Sequence, residues 1–303
     1  MAERFDRYRQ HAPELAWPDV VPQTGQRMQF DRRYKRTDSR DLHMDVFVPA
    51  PLVANAYPVM LVHGGGWRSG SKAHLYPLAN SLAQRGYTVF VPEYRLSVEA
   101  LYPAAMVDLN DAIRWIHEHA LTYDLRPDRL AVGGGSSGGH LAALLAYTQD
   151  QRLSRPSDTP SPSVSALIDM DGVLDFTSPL ALRYENKRGD ASAAGLWLGG
   201  AFEKIPKRWR EASPVYHITA SAPPTLILGS GQSRFTAGSD EVLRKLSALG
   251  IHAELIEYNK IIHTFWLFEP YLSDVVTRID RFIQQTHAPD ASVAPDVDDA
   301  PGH

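Results

Sequence analysis

The chain has 303 residues, 44% of them hydrophobic, enough to bury one large α/β core rather than two small ones. A formal net charge of −4 supplies no basic field for nucleic acid. The sequence contains no cysteine, which excludes disulfides, thiolate metal sites and a cysteine nucleophile.

The opening "MAERFDRYRQHAPELAWPDV" lacks the apolar h-region of a secretory signal, and no apolar run approaches the length of a membrane span. The expectation is a cytoplasmic protein, or a periplasmic or secreted one whose leader has been removed, with neither nucleic acid nor membrane as a partner. Residues 1–27 read as an N-terminal extension to a domain over 28–286. The end, 287–303, is rich in Ala, Pro and Asp without periodicity and reads as a disordered tail.

"MQFDRRYKR" and "LHMDVFVPA" alternate apolar and polar residues and predict an opening antiparallel pair. The helix pattern "LYPLANSLAQRG" stops at Gly86, and "AAMVDLNDAIRWIHEHA" starts just after Pro103. "PVMLVHG", "YTVFVPEY", "RLAVGGG", "SALIDMDG", "PTLILGS" and "AELIEYN" are continuous apolar runs, as in strands buried on both faces. "DEVLRKLSALG" places Val242, Leu246 and Leu249 on one helix face and ends at Gly250. This alternation predicts an α/β fold: an eight-stranded, mostly parallel sheet with helices on both faces. Residues 176–214 break the rhythm with helical pieces and no strand, and read as a small cap insertion.

Three motifs carry chemistry. Gly134 to Gly138 fit G-x-S-x-G between a strand and a helix, where Ser136 would sit on a strained turn with the helix's positive end behind it. A phosphate loop is the rival, but no Gly-Lys-Ser/Thr follows, and the dinucleotide pattern belongs on a first strand rather than a fifth. "LVHGGGWRSG" follows an earlier strand and offers successive glycine N–H groups to an oxyanion. In "NKIIHTFWLF", His263 follows the last strand, in the order nucleophile before histidine. "DMDGVLD" fails the EF-hand register at Leu180, and "HEH" at 117–119 lacks the spacing of a zinc helix.

With "HGGGW", "PEYRLSVEALYPAAMVDLNDAIRWI", "GGSSGGHLAALLA" and "HTFWLF" in that order, the chain resembles an α/β-hydrolase of the hormone-sensitive-lipase-like and carbohydrate-esterase branches. "DMDGVLDF" and "WREASPVYHI" are similar to acetyl- or methylesterases of plant cell-wall polysaccharides. The resemblance implies a serine carboxylic-ester hydrolase acting by acyl transfer on a pectin- or xylan-type ester, with no cofactor and no metal. Ser136 would be the nucleophile and His263 the general base, with Gly65, Gly66 and Ser137 giving N–H groups to the oxyanion. Three alternatives stand beside it: a broad small-ester or aryl esterase, a kynurenine-formamidase-like amide hydrolase, and a degenerate hydrolase fold that only binds.

The chain departs from the resemblance at the triad acid. Where similar enzymes carry it, a few residues past the seventh strand, the chain reads "GSGQSRFTAGSD" and offers Ser233. Asp171, at the end of the sixth strand, is preferred because strand ends on that edge aim at the site. Asp240 and Asp175 are the other candidates, and a Ser–His dyad is the remaining possibility. For substrate, Trp67 and the cap tryptophans Trp197 and Trp209 are candidate stacking surfaces. Arg183, Lys187, Arg188, Lys204, Lys207, Arg208 and Arg210 beside them would suit an acidic carbohydrate.

Overall fold

Eight strands run through the described residues: β1 (Arg27–Arg36), β2 (Asp41–Val48), β3 (Pro58–Val62), β4 (Thr88–Pro92), β5 (Ala131–Gly135), β6 (Ala166–Met170), β7 (Thr225–Gly229) and β8 (Ala253–Glu257). They come from a computed structural model that describes residues 2–149 and 163–287. The strands form one sheet in the order β1-β2-β4-β3-β5-β6-β7-β8. Only β2 runs against its neighbours; from β4 to β8 all pairings are parallel. Every residue of β3 to β7 is buried, which explains their unbroken apolar runs, since helices cover both faces.

The helices are α1 (Ala2–Arg9), α2 (Tyr76–Gln84), α3 (Ala104–Glu118), α4 (Ser137–Tyr147), α5 (Pro179–Glu185), α6 (Ala193–Leu198), α7 (Pro206–Glu211), α8 (Ser239–Ala248) and α9 (Tyr271–His287). One core joins Met60, Val132 and Ile227 of the sheet to Leu109 of α3, Leu144 of α4 and Leu246 of α8. The other joins Leu61, Val89 and Ile168 to Leu78 of α2 and to Ile279 and Phe282 of α9. α4 is buried at every position, so its apolar residues mark no single face. Strand order and flanking layers are those of an α/β-hydrolase.

Residues 176–214 hold α5, α6 and α7 and no strand, as the broken alternation predicts. The opening segment is more than an extension. Phe5 and Leu15 are buried in the second core, and Phe5 meets Trp17 and Phe268 at ring-centroid distances of 4.6 and 5.2 Å. Ala16 pairs with Glu269 in an isolated bridge. At the other end, His287 belongs to α9 and its Nε2 bonds Ser165 Oγ at 2.9 Å; the rest of the expected tail, 288–303, lies outside the described residues.

Candidate active site

The carboxyl ends of β5, β6 and β8 converge on a cavity of about 1530 Å³. Ser136 stands at its floor, between β5 and α4, with φ 57° and ψ −125°. That conformation is costly for a residue with a Cβ and persists only where the surroundings enforce it. They do: Ser136 N–H donates to Met170 O at 2.8 Å, and Ser136 O accepts from His140 N at 3.0 Å. Gly138 completes the turn, because a Cβ there would meet Val62 O at 2.1 Å.

His263 Nε2 lies 2.9 Å from Ser136 Oγ, and its Nδ1 lies 2.7 Å from Asp171 Oδ2. With Nδ1–H donating to the carboxylate, Nε2 keeps its lone pair for the serine proton. Asp171 is buried with φ 54°. Its N–H donates to Leu228 O, and its Oδ1 accepts from Ser230 N at 2.8 Å. Asp169 braces the turn by accepting from Gly172 N at 2.9 Å. Burial, and then the neighbouring Asp171, push the Asp169 carboxyl well above the usual carboxylate range.

The other acid candidates are placed elsewhere. Asp240 is exposed in the first turn of α8, where it complements the helix dipole. Asp175 accepts from Thr177 N and Oγ1 in a local turn, and the cap of α5 is Ser178, not Asp175. Ser233 is exposed. Its loop instead lays Phe235 flat on His263, ring centroids 3.4 Å apart and planes 12° from parallel.

Gly65 and Gly66 line the cavity with Ser137, at φ 131° and 62°. Among the described residues their N–H groups, and that of Ser137 at the first position of α4, donate to no protein acceptor. His140 secures this loop. Its Nε2–H donates to Ala212 O at 2.8 Å, so its Nδ1 accepts from Trp67 Nε1 at 3.2 Å. Full burial lowers the His140 pKa to about 4, keeping that neutral tautomer across the physiological range.

Two of the tryptophans expected to touch substrate do not reach the cavity. Trp197 and Trp209 are each 1% exposed. Trp197 stacks behind Trp67 at 5.1 Å, and Trp209 donates to Gly200 O. Both fill the core beneath the cap helices. Trp67 does line the cavity. Of the cap cations, Lys187 and Arg188 line it too, whereas Lys204 pairs with Asp190 and Arg208 donates to Leu198 O. Arg210 sits over Tyr216. Arg183 and Lys207 are also absent from the lining.

The cavity wall contains residues that sequence patterns did not single out: Arg7, Tyr8, His11 and Glu14 from the opening segment, and Tyr184, Arg234 and Phe235. At 117–119, His119 stacks on Trp115 and donates to its carbonyl. No cluster of three potential metal ligands occurs among the described residues, and no helix there is long and apolar enough to cross a membrane.

The site thus sets a serine on a strained strand-to-helix turn against a histidine held by a buried aspartate. The chain belongs to the BD-FAE family, whose profile matches residues 44–235. It is similar to the "Probable carboxylic ester hydrolase LipM" of Mycobacterium tuberculosis, 31% identical over 200 residues that cover 61% of this chain and 44% of LipM. The "Carboxylesterase/phospholipase LipF" of the same organism is 27% identical over 252 residues, 78% of this chain and 64% of LipF. The matches therefore span only about half the length of these curated relatives. Among solved structures, a truncated carbohydrate esterase from gut microbiota superposes with a TM-score of 0.73 at 19% identity, covering 89% of this chain and 99% of that one. Native esterase Est2 of Thermogutta terrifontis gives 0.70 at 23%, covering 93% and 99%. Both show the shared fold.

Proposed function

We propose that this chain is a serine carboxylic-ester hydrolase that removes acetyl or methyl esters from a plant cell-wall carbohydrate of the pectin or xylan type. The observation that carries the reaction is the Ser136–His263–Asp171 relay, with contacts of 2.9 and 2.7 Å, opening on a large cavity. The curated relatives named as ester hydrolases support the reaction class, and a structure titled a carbohydrate esterase shares the fold.

In this reading Ser136 Oγ attacks the ester carbonyl as His263 Nε2 takes its proton. The carbonyl oxygen gains charge and is met by the N–H groups of Gly65, Gly66 and Ser137 and by the positive end of α4. The bond to the alcohol then breaks, and the imidazolium returns its proton to the leaving oxygen. Water, deprotonated by the same imidazole, attacks the acyl-enzyme and frees the acid and Ser136. Asp171 holds the productive tautomer and stabilises the imidazolium without taking its proton.

The test is hydrolysis of acetylated and methyl-esterified pectin and xylan, with acetate and methanol measured separately and Ser136→Ala as control. Release of either product that disappears in Ser136→Ala supports the proposal. Turnover of aryl acetates alone would assign a small-ester hydrolase, and turnover of N-formylkynurenine would assign an amide hydrolase.

A further inference from the structure

Arg234 lies in the loop that replaces the usual acid position, and its guanidinium carbon is 4.1 Å from the Phe235 ring centroid and 5.7 Å from that of Tyr184. Lys187 Nζ lies 5.4 Å from the same Tyr184 ring. Two cations thus converge on one aromatic ring at the wall of the cavity. Neither forms an ion pair with any described residue, although other surface cations do, as Arg40 does with Glu99 and Arg244 with Glu241. Both side chains are exposed at the wall, so each charge is open to an anion that enters the cavity.

The carboxylates of the cavity are otherwise engaged. Asp171 is bonded by His263 and Ser230, Glu185 accepts from Ala194 N, and Glu14 is bonded by Tyr271. The planar fork of Arg234 suits a carboxylate, which it can bind through two parallel hydrogen bonds. Direction follows from the chemistry. His263 hands its proton to the leaving alcohol, so the alcohol half of the ester must lie against His263. Phe235 covers one face of that imidazole, and Arg234 lies over Phe235. The charge therefore belongs to the alcohol side.

We infer that Arg234 and Lys187 form an anion subsite for an ester whose alcohol half carries a carboxylate, such as an O-acetylated uronic acid. The inference rests on the esterase reading above.

The experiment uses a matched pair, 4-acetoxybenzoate and its neutral isostere 4-acetoxybenzamide, which release the same acetyl group. The readout is the ratio of their kcat/KM values, so differences in intrinsic reactivity cancel between variants. Arg234→Gln and Lys187→Gln should each lower the ratio about tenfold, the loss expected for one charge-assisted contact. Arg234→Glu should lower it further, and high salt should shrink the wild-type ratio toward that of the variants. A ratio that is the same in wild type, Arg234→Gln and Lys187→Gln overturns the subsite while leaving the esterase reading intact. Failure of the wild type to hydrolyse either ester overturns both.

Discussion

Asp171 and His263, 92 positions apart in the chain, meet at 2.7 Å through Oδ2 and Nδ1. The contact forms because the turn after β6 reaches across the end of β7, where Ser230 N holds the other carboxylate oxygen. Asp171 thus reaches His263 from the end of the sixth strand, while the loop after the seventh lays Phe235 on the imidazole.

This relationship predicts an unequal effect of two amide substitutions. Asp171→Asn should lower kcat by on the order of 10³–10⁴, with little change in KM, because the amide favours the wrong imidazole tautomer. Asp240→Asn should leave kcat within a few-fold and cost about 0.3–1 kcal/mol through the dipole of α8. Steady-state kinetics and urea unfolding of both variants check this; the reverse ranking would move the acid to Asp240.

Asp169 gives a prediction of opposite character. Its folded-state pKa is raised by burial and by Asp171 above the ordinary 3.8. Its contribution to stability is therefore complete below that value and is lost as pH rises through the folded pKa. Asp169→Asn removes the titration, so the variant should gain stability relative to wild type as pH rises above about 4. The pH dependence of the urea midpoint measures this, and parallel curves for the two proteins would contradict it.

Acid should weaken the fold through buried histidines. Burial lowers His63 and His140 to about 4, against 6.5 for the free side chain. Between those values the unfolded chain takes up protons that the folded one refuses. Stability should fall by about 1.4 kcal/mol per pH unit for each group as pH drops through that window. Replacing His140 by Asn should reduce the slope, as measured by denaturant unfolding at several pH values.

The sheet was legible in the sequence because β3 to β7 are buried throughout, and double burial demands continuous apolar runs. Ser136 could be singled out because tight-turn glycines flank it, and His263 because it follows the last strand; the fold brings the two side chains within 2.9 Å. Asp171 needed a topological argument, since no local pattern separates it from Asp175 or Asp240. Trp197 and Trp209 misled: a tryptophan near a site suits a buried core as well as a stacking surface, and only packing decides. The wall formed by Arg7, Tyr8, His11 and Glu14 was not legible, because it depends on Phe5 and Trp17 docking on Phe268 at the far end of the chain. His140 lay within the glycine motif, but its role depends on contacts with Trp67 and Ala212, which the motif does not encode.

Those buried tryptophans carry their own prediction. Trp209→Ala should destabilise the protein by about 3–5 kcal/mol through the cavity it leaves. Trp209→Phe should keep the KM for carbohydrate esters close to wild type. A selective rise in KM for carbohydrate esters over aryl esters in the phenylalanine variant would return Trp209 to the substrate surface.

The central claim is that Ser136 is the nucleophile activated by His263, and the most direct measurement is peptide mass spectrometry after treatment with a fluorophosphonate. The account predicts one phosphonyl adduct per chain, on Ser136, forming in step with loss of esterase activity and greatly slowed in His263→Ala. Stoichiometric labelling at another residue, or full hydrolytic activity in protein labelled at Ser136, would contradict it.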